Sequence, residues 1–330
     1  MAVTDTFHTY LTYLTYNTCM ELTADSSARL DAFLASKTSL SRSRVRKAID
    51  MELVTINGVT ELKPARRVKI ADVVEIDIDS LPTEGARIEP ADLSMDVLYE
   101  DDACMVVNKP AGVAVHPATG MPPGEQTVLH GIAFLFGERK TPFSTETALV
   151  HRLDKDTTGC LLIAKTAAAH SALQEQFAKR TVKKSYMAIV AGVPNPAEAT
   201  IDAPVGRNLT DRRKMSVLRT SVSREARTTY HTISASAAAA LLRCDLHTGR
   251  THQIRVHLST VGHPILGDRT YASSSSGKLS EHLGVMGLCL HAAELTFRSP
   301  ADDVEHTIRA SLPSSWNNVF DAAGVHPQST

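Results

Sequence analysis

An α+β protein of two domains is predicted, a small αα-β unit leading into a larger domain built on a mainly antiparallel, mixed sheet. The 330 residues suffice for a module plus a second domain with a substantial core. Helix and strand periodicities are packed tightly from Ser26 to about residue 80 and stop at a stretch rich in proline and acids. Beyond it, short strands, hairpins and helices follow one another without the regular βαβ alternation of a parallel sheet.

Residues 1–25 are threonine-rich and aperiodic, and are expected as a loose N-terminal extension. Leu30, Phe33 and Leu34 then make one helical stripe, and Val45, Ala48 and Ile49 a second after a serine-rich start. The run from Leu53 meets Asn57-Gly58, the dipeptide best suited to a tight hairpin because both residues tolerate positive φ. Alternating Val74, Ile76 and Ile78 complete a unit over 26–80. Residues 81–92 are expected as a linker, 93–320 as the large domain and 321–330 as a tail, with Ser273–Ser276 in a surface loop.

The composition, 43% hydrophobic and 22% charged, is that of a globular protein. Lys and Arg total 35 against 36 Asp and Glu, so net charge alone indicates no polyanionic partner. Charge is segregated instead. Six basic residues face one acid between Arg29 and Lys47, and eleven face four between Lys179 and Arg227. Arg42, Arg44, Arg46 and Lys47 crowd the second helix, while Lys183, Lys184, Arg212, Arg213 and Lys214 belong to the second run, which suits phosphate contacts. The five cysteines are far apart without CxxC pairing, which disfavours disulfides and zinc and fits a reducing cytoplasm. No basic start followed by an apolar run indicates export or membrane spanning.

The segment His151-Arg152-Leu153-Asp154-Lys155-Asp156-Thr157-Thr158-Gly159 lies ahead of the apolar strand Cys160–Ala164. A glycine-ended loop entering a buried strand is suited to hold an acid rigidly in a cleft, which leaves Asp154 and Asp156 as candidates. Taken alone, each reads as a turn or capping residue. A second segment, Thr248-Gly249-Arg250-Thr251-His252-Gln253-Ile254-Arg255, opens a helix for which Thr251 is the expected N-cap. Its buried stripe would be Ile254, Leu258 and Val261, and Gly262 would end it. Arg255 would then share a face with His252 and Ser259, placed to pair bidentately with a carboxylate. His247, His252, His257 and His263 lack metal-ligand spacing, so they read as satisfied polar histidines and no metal is expected. Alternation puts Tyr186, Ala188 and Val190 on one strand face.

These segments resemble known families. Ser26–Asp79, with RLDAFLASK, SRSRVRKAI and LVTINGV, resembles the S4 RNA-binding domain, although Met51-Glu52 stands where that family often has a glycine-containing turn. HRLDKDTTGCLLIAKT resembles the signature of the RluA-type pseudouridine synthases, and the likeness extends over Val107–Gly112, His116-Pro117, Gly262–Pro264 and Leu290–Ala292. The resemblance implies an isomerase that breaks the ribose C1′–N1 bond of selected uridines and forms C1′–C5, without cofactor. It makes Asp154 the catalytic carboxylate and puts Tyr186 against the base and Arg152 in the space that the uracil vacates; the helix face that carries Arg255 makes that arginine the expected partner of Asp154. Lys109, His151 and Arg250 are further expected substrate-binding residues. The implied partner is RNA, ribosomal from the large subunit or alternatively transfer RNA, bound by a cytoplasmic monomer with no DNA or membrane contact. A non-catalytic assembly factor and a hydrolase are the competing readings.

Overall fold

The computed structural model describes residues 19–38, 40–78, 88–117, 121–122, 124–211, 214–218 and 220–327. The chain divides into two compact units, 1–86 and 87–330.

The first unit opens with β1 (Cys19–Thr23) and β2 (Ala28–Arg29), followed by α1 (Leu30–Lys37) and α2 (Arg42–Asp50). β3 (Val54–Ile56), β4 (Val59–Thr60), β5 (Arg67–Val68) and β6 (Val73–Asp77) complete it. Ser41 caps α2 by accepting the Arg44 amide at 3.3 Å. Leu30, Phe33 and Leu34 of α1 meet Val45, Ala48 and Ile49 of α2 over Val54, Val74 and Ile76. Each large side chain so buried contributes about 1.5–3 kcal/mol. Asn57 and Gly58 both take positive φ, 52° and 77°, at the β3–β4 turn. Glu52 sits at φ 62° behind α2, in the left-handed position that favours glycine. On α2, Arg42 and Arg46 are exposed while Arg44 and Lys47 are half-buried beside the apolar stripe.

The expected limit of this unit at residue 26 is corrected. β1 pairs antiparallel with β6 along its whole length, and Ala24 is buried. Polar alternation in a five-residue edge strand is too weak to stand out from the threonines before it.

The second unit is built on a nine-stranded sheet. Its strands are β7 (Val97–Glu100), β8 (Cys104–Lys109), β9 (Thr158–Ala164), β10 (Lys183–Ala191), β11 (Glu198–Asp202), β15 (Arg227–Ala235), β16 (Ala239–Leu246), β17 (Leu290–Arg298) and β18 (Glu305–Arg309). Between β11 and β15 the chain forms a separate three-stranded sheet from β12 (Val205–Asn208), β13 (Met215–Ser216) and β14 (Thr220–Arg224). The main order is β11-β15-β16-β10-β17-β9-β8-β7 with β18 on β17; β17 runs parallel to β9, and the other pairs are antiparallel. The helices are α3 (Val128–Glu138), α4 (Ala167–Ala178), α5 (Gln253–Thr260), α6 (Ser274–His282) and α7 (Asn317–Ala323). One apolar cluster covers one face of the sheet with α3, α5 and α7, and another the opposite face with α4. On β10, Ile189 is buried as well as Tyr186, Ala188 and Val190, and all four belong to the first cluster. Among the described residues no helix is long and apolar enough to cross a membrane.

Three further boundaries differ from expectation. Ile88 packs against the large core and the Ala91 amide donates to His130 O at 3.1 Å, so the end of the expected linker belongs to the second unit. Ala323 and Val325 are buried, so the chain beyond 320 is core rather than tail. Ser273 caps α6 by accepting the Ser276 amide at 3.2 Å, and the serine tract starts a helix because serine satisfies first-turn amides well.

Candidate active site

The loop 150–157 is held from three sides. The Thr157 amide turns back onto Asp154 O at 3.1 Å. At the entry to β9, Gly159 adopts φ 106° and approaches β17 so closely that a Cβ would lie 2.3 Å from Ala292 O. Thr158 Oγ1 bonds His291 Nδ1 of β17 at 2.7 Å. From behind, the fully buried Lys109 ammonium donates to Pro110 O, Lys155 O and Thr157 O at 2.7, 2.8 and 2.9 Å. Burial pushes its pKa down to about 8 against the opposing pull of Asp156 and Asp154. Lys109 therefore does not line the cleft: every ammonium hydrogen is spent on loop carbonyls, a supporting position rather than the substrate contact expected.

Opposite this loop stands α5. Its N-cap is His252, at φ 56°, rather than Thr251. Thr251 Oγ1 instead accepts Arg152 Nη2 at 2.6 Å. Ile254 and Leu258 are buried but Val261 is exposed, because the helix ends at Thr260 and Gly262 turns the chain away at φ 88°. Arg255 Nη1 donates to Asp154 Oδ2 at 3.0 Å. The expected two-bond contact is made elsewhere, by Nε and Nη2 to Asp268 Oδ2 and Oδ1 at 2.8 and 2.9 Å. Burial raises the Asp268 carboxyl, but Arg255 and the amides of Thr270 and Tyr271 outweigh it and hold the group below its ordinary value. His252 Nε2 lies 4.0 Å from the same Oδ2 of Asp154. Among the described residues no hydrogen bond reaches Asp154 Oδ1, so a carboxylate with 22% of its side chain exposed offers one free oxygen to the cleft.

That cleft has a volume of about 440 Å³ and is lined by five basic side chains, Arg152, Arg180, Lys184, Arg250 and Arg255, against the single carboxylate Asp154. Arg180 is paired with Glu225 at 2.8 and 3.0 Å and Arg255 with Asp268, so the attraction for a polyanion comes chiefly from Arg152, Lys184 and Arg250. Tyr186 lies buried in its wall, its hydroxyl pKa raised first by burial and then by Asp154. His151 also lines it, stacked on Phe177 at 4.8 Å between centroids and accepting the Leu162 amide at 2.9 Å. Burial, with the nearby Lys184 charge, pushes His151 down to about 3, so it is neutral and committed to the backbone. The Lys184 ammonium stands 5.8 Å from the Phe177 ring centre, its pKa lowered to about 8 by burial and by Arg180 and Arg250. Arg250 spends only Nε, on Glu225 O at 3.0 Å.

Lys183 is exposed, 3.6 Å from Glu305, and borders a neighbouring cavity rather than the cleft itself. Lys214 is half-buried beside β13, whereas Arg212 and Arg213 lie outside the described residues. The histidines find polar partners: His247 at Thr229, His252 at Tyr271, His257 at Thr228 and Ala203, and His263 at Ala191. The two acids at and beneath the floor, Asp154 and Asp268, share one guanidinium, so the charge a cation would neutralise is met by Arg255.

Sequence reasoning missed Asp268, Tyr271 and Phe177. An acid ending the apolar run Pro264-Ile265-Leu266-Gly267 was the available signal for Asp268, since a buried acid demands a partner.

A basic cleft around one positioned carboxylate, in a chain with an αα-β module, defines an RNA-modifying enzyme of two units. The RNA pseudouridylate synthase family profile matches residues 103–260 and the S4 domain profile residues 28–74. The "Ribosomal large subunit pseudouridine synthase D" of Zymomonas mobilis is 37% identical over 298 residues, 88% of this chain and 92% of that protein. The protein of the same name from Yersinia pestis is 35% identical over 303 residues, 89% of this chain and 90% of that one. Among solved structures, human RNA pseudouridylate synthase domain containing 4 superimposes with a TM-score of 0.56 at 28% identity, covering 70% of this chain and 94% of that one. The chain belongs to the RluA-type RNA pseudouridine synthases, isomerases that act on RNA.

Proposed function

We propose that this enzyme isomerises uridines of large-subunit ribosomal RNA, with Asp154 as the carboxylate that acts at ribose C1′. The observation that carries the reading is the asymmetric clamp on Asp154: Arg255 bonds Oδ2 at 3.0 Å, while Oδ1 has no hydrogen-bond partner among the described residues. A carboxylate so held stays ionised and presents one oxygen, whether to attack C1′, to stabilise positive charge there or to take a ribose proton. The names of the relatives from Zymomonas mobilis and Yersinia pestis favour ribosomal RNA as the substrate.

The target uridine must leave its stack to reach Asp154, at a cost of a few kcal/mol that is smallest in looped RNA. Exposed Arg152, tethered at Thr251, is suited to enter the vacated space, and the Tyr186 ring is suited to face the uracil. Arg180, Lys184 and Arg250 are the phosphate contacts of this reading, and the basic helix α2 of the 1–86 unit adds RNA affinity of its own. In this division of labour the first unit binds RNA and the second catalyses.

The test incubates the purified chain with unmodified ribosomal and transfer RNA transcripts and maps pseudouridine by mass spectrometry, with Asp154→Asn alongside. Product in ribosomal RNA made only by the unsubstituted chain is expected. Product in transfer RNA alone would move the substrate, and product from Asp154→Asn would remove that residue from the chemistry.

A further inference from the structure

The loop that supplies Asp268 also supplies Tyr271: Asp268 grips Arg255, and Tyr271 touches both Arg255 and His252, the two neighbours of Asp154 on α5 and its N-cap. Tyr271 Oη accepts the Met215 amide at 2.8 Å and lies 2.8 Å from His252 Nδ1. Its ring packs beneath the Arg255 guanidinium at 5.2 Å from ring centre to Cζ. Met215 belongs to β13, in the three-stranded sheet that carries Arg207 and Arg224, with Lys214 immediately ahead of β13. One phenol therefore touches the basic sheet, the imidazole and the guanidinium.

The bonding pattern favours one imidazole tautomer. A backbone amide can only donate, so the phenol oxygen accepts from Met215. The one arrangement that also uses the phenol proton sends it to His252 Nδ1. A neutral His252 with Nδ1 accepting carries its hydrogen on Nε2, the atom 4.0 Å from Asp154 Oδ2. His252 itself takes a left-handed backbone, φ 56°, as the N-cap of α5.

We infer that Tyr271 is a positioning residue of the reaction: through its hydroxyl it holds His252 as the Nε2–H tautomer beside Oδ2 of Asp154, and it ties that setting to the basic three-stranded sheet at Met215. Arg255 and His252 then both address Oδ2 and leave Oδ1 as the reacting oxygen. RNA that engages the basic sheet bears on the same phenol that sets the imidazole. The inference rests on the reading of Asp154 as the reacting carboxylate.

Two measurements on the full chain test it. Nitrogen-15 NMR of histidine-labelled protein, with the His252 signals assigned by their loss in His252→Gln, is expected to find Nδ1 unprotonated and Nε2 protonated, and to find that pattern lost in Tyr271→Phe. A protonated Nδ1 in the unsubstituted protein overturns the proposal without any variant. Single-turnover rates on the unmodified substrate RNA are expected to fall by at least about tenfold in Tyr271→Phe, with RNA affinity little changed. If Tyr271 acts through His252, the same change adds no further loss in a His252→Gln background. An additive loss, or a full rate in Tyr271→Phe, overturns it. Should Asp154→Asn remain active, the catalytic reading fails while the tautomer measurement still reports on Tyr271.

Discussion

Arg255 meets Asp268 through Nε and Nη2, at 2.8 and 2.9 Å, which leaves Nη1 alone for the cleft. Asp268 thus decides which hydrogen of the guanidinium Asp154 receives, although its side chain has no exposed surface.

Asp268→Asn removes the charge that balances a guanidinium with only 9% of its side chain exposed, and is expected to cost about 3–5 kcal/mol of stability. The Asp268 carboxyl is held below its unfolded value, so its contribution is complete above the unfolded pKa and is lost as pH falls through the lower folded one. Acid unfolding of the second unit, followed by circular dichroism, should therefore shift to higher pH in the variant.

Lys184 loses its charge as pH rises through about 8. RNA affinity is expected to weaken over that interval, and Lys184→Met should flatten the dependence and lower the salt slope of binding by about one. Filter binding across pH and ionic strength measures both.

Gly159→Ala sets a Cβ against Ala292 O at 2.3 Å and forces φ 106° on a residue that avoids it. Strain and overpacking together are expected to exceed about 3 kcal/mol. Thermal unfolding together with single-turnover activity reads the result; a fully active, equally stable variant would contradict this placement of the loop.

Glu52 occupies a left-handed position at φ 62°. Glu52→Gly is expected to stabilise the first unit by about 1 kcal/mol, seen as a raised unfolding midpoint.

Local chemistry made much of this legible in advance. The stripes of α1 and α2 and the Asn57-Gly58 turn announce themselves because period and turn type are written in neighbouring residues. The apolar strand that follows marked the loop as a place to hold an acid, but left Asp154 and Asp156 undistinguished, and only the family resemblance pointed to Asp154. Lys109 could not be placed, since the carbonyls that bury it come from residues 110, 155 and 157, two of them distant in sequence. Asp268 and Tyr271 were hidden for the same reason: their partners lie on α5 and β13, reached by packing rather than by periodicity. Val261 was misplaced because helical spacing continues in the sequence past the point where Gly262 turns the chain.

β9 and β10 follow one another along the chain with only α4 between them, yet β17, residues 290–298, lies between them in the sheet. A nascent chain on the ribosome therefore cannot close the cleft until residues 290–298 have emerged. Up to then His291 is missing from Thr158 and Ala292 from Gly159, and the loop bearing Asp154 lacks its floor. Products terminated before β17 hold the signature residues but not the strand that gives their loop its floor.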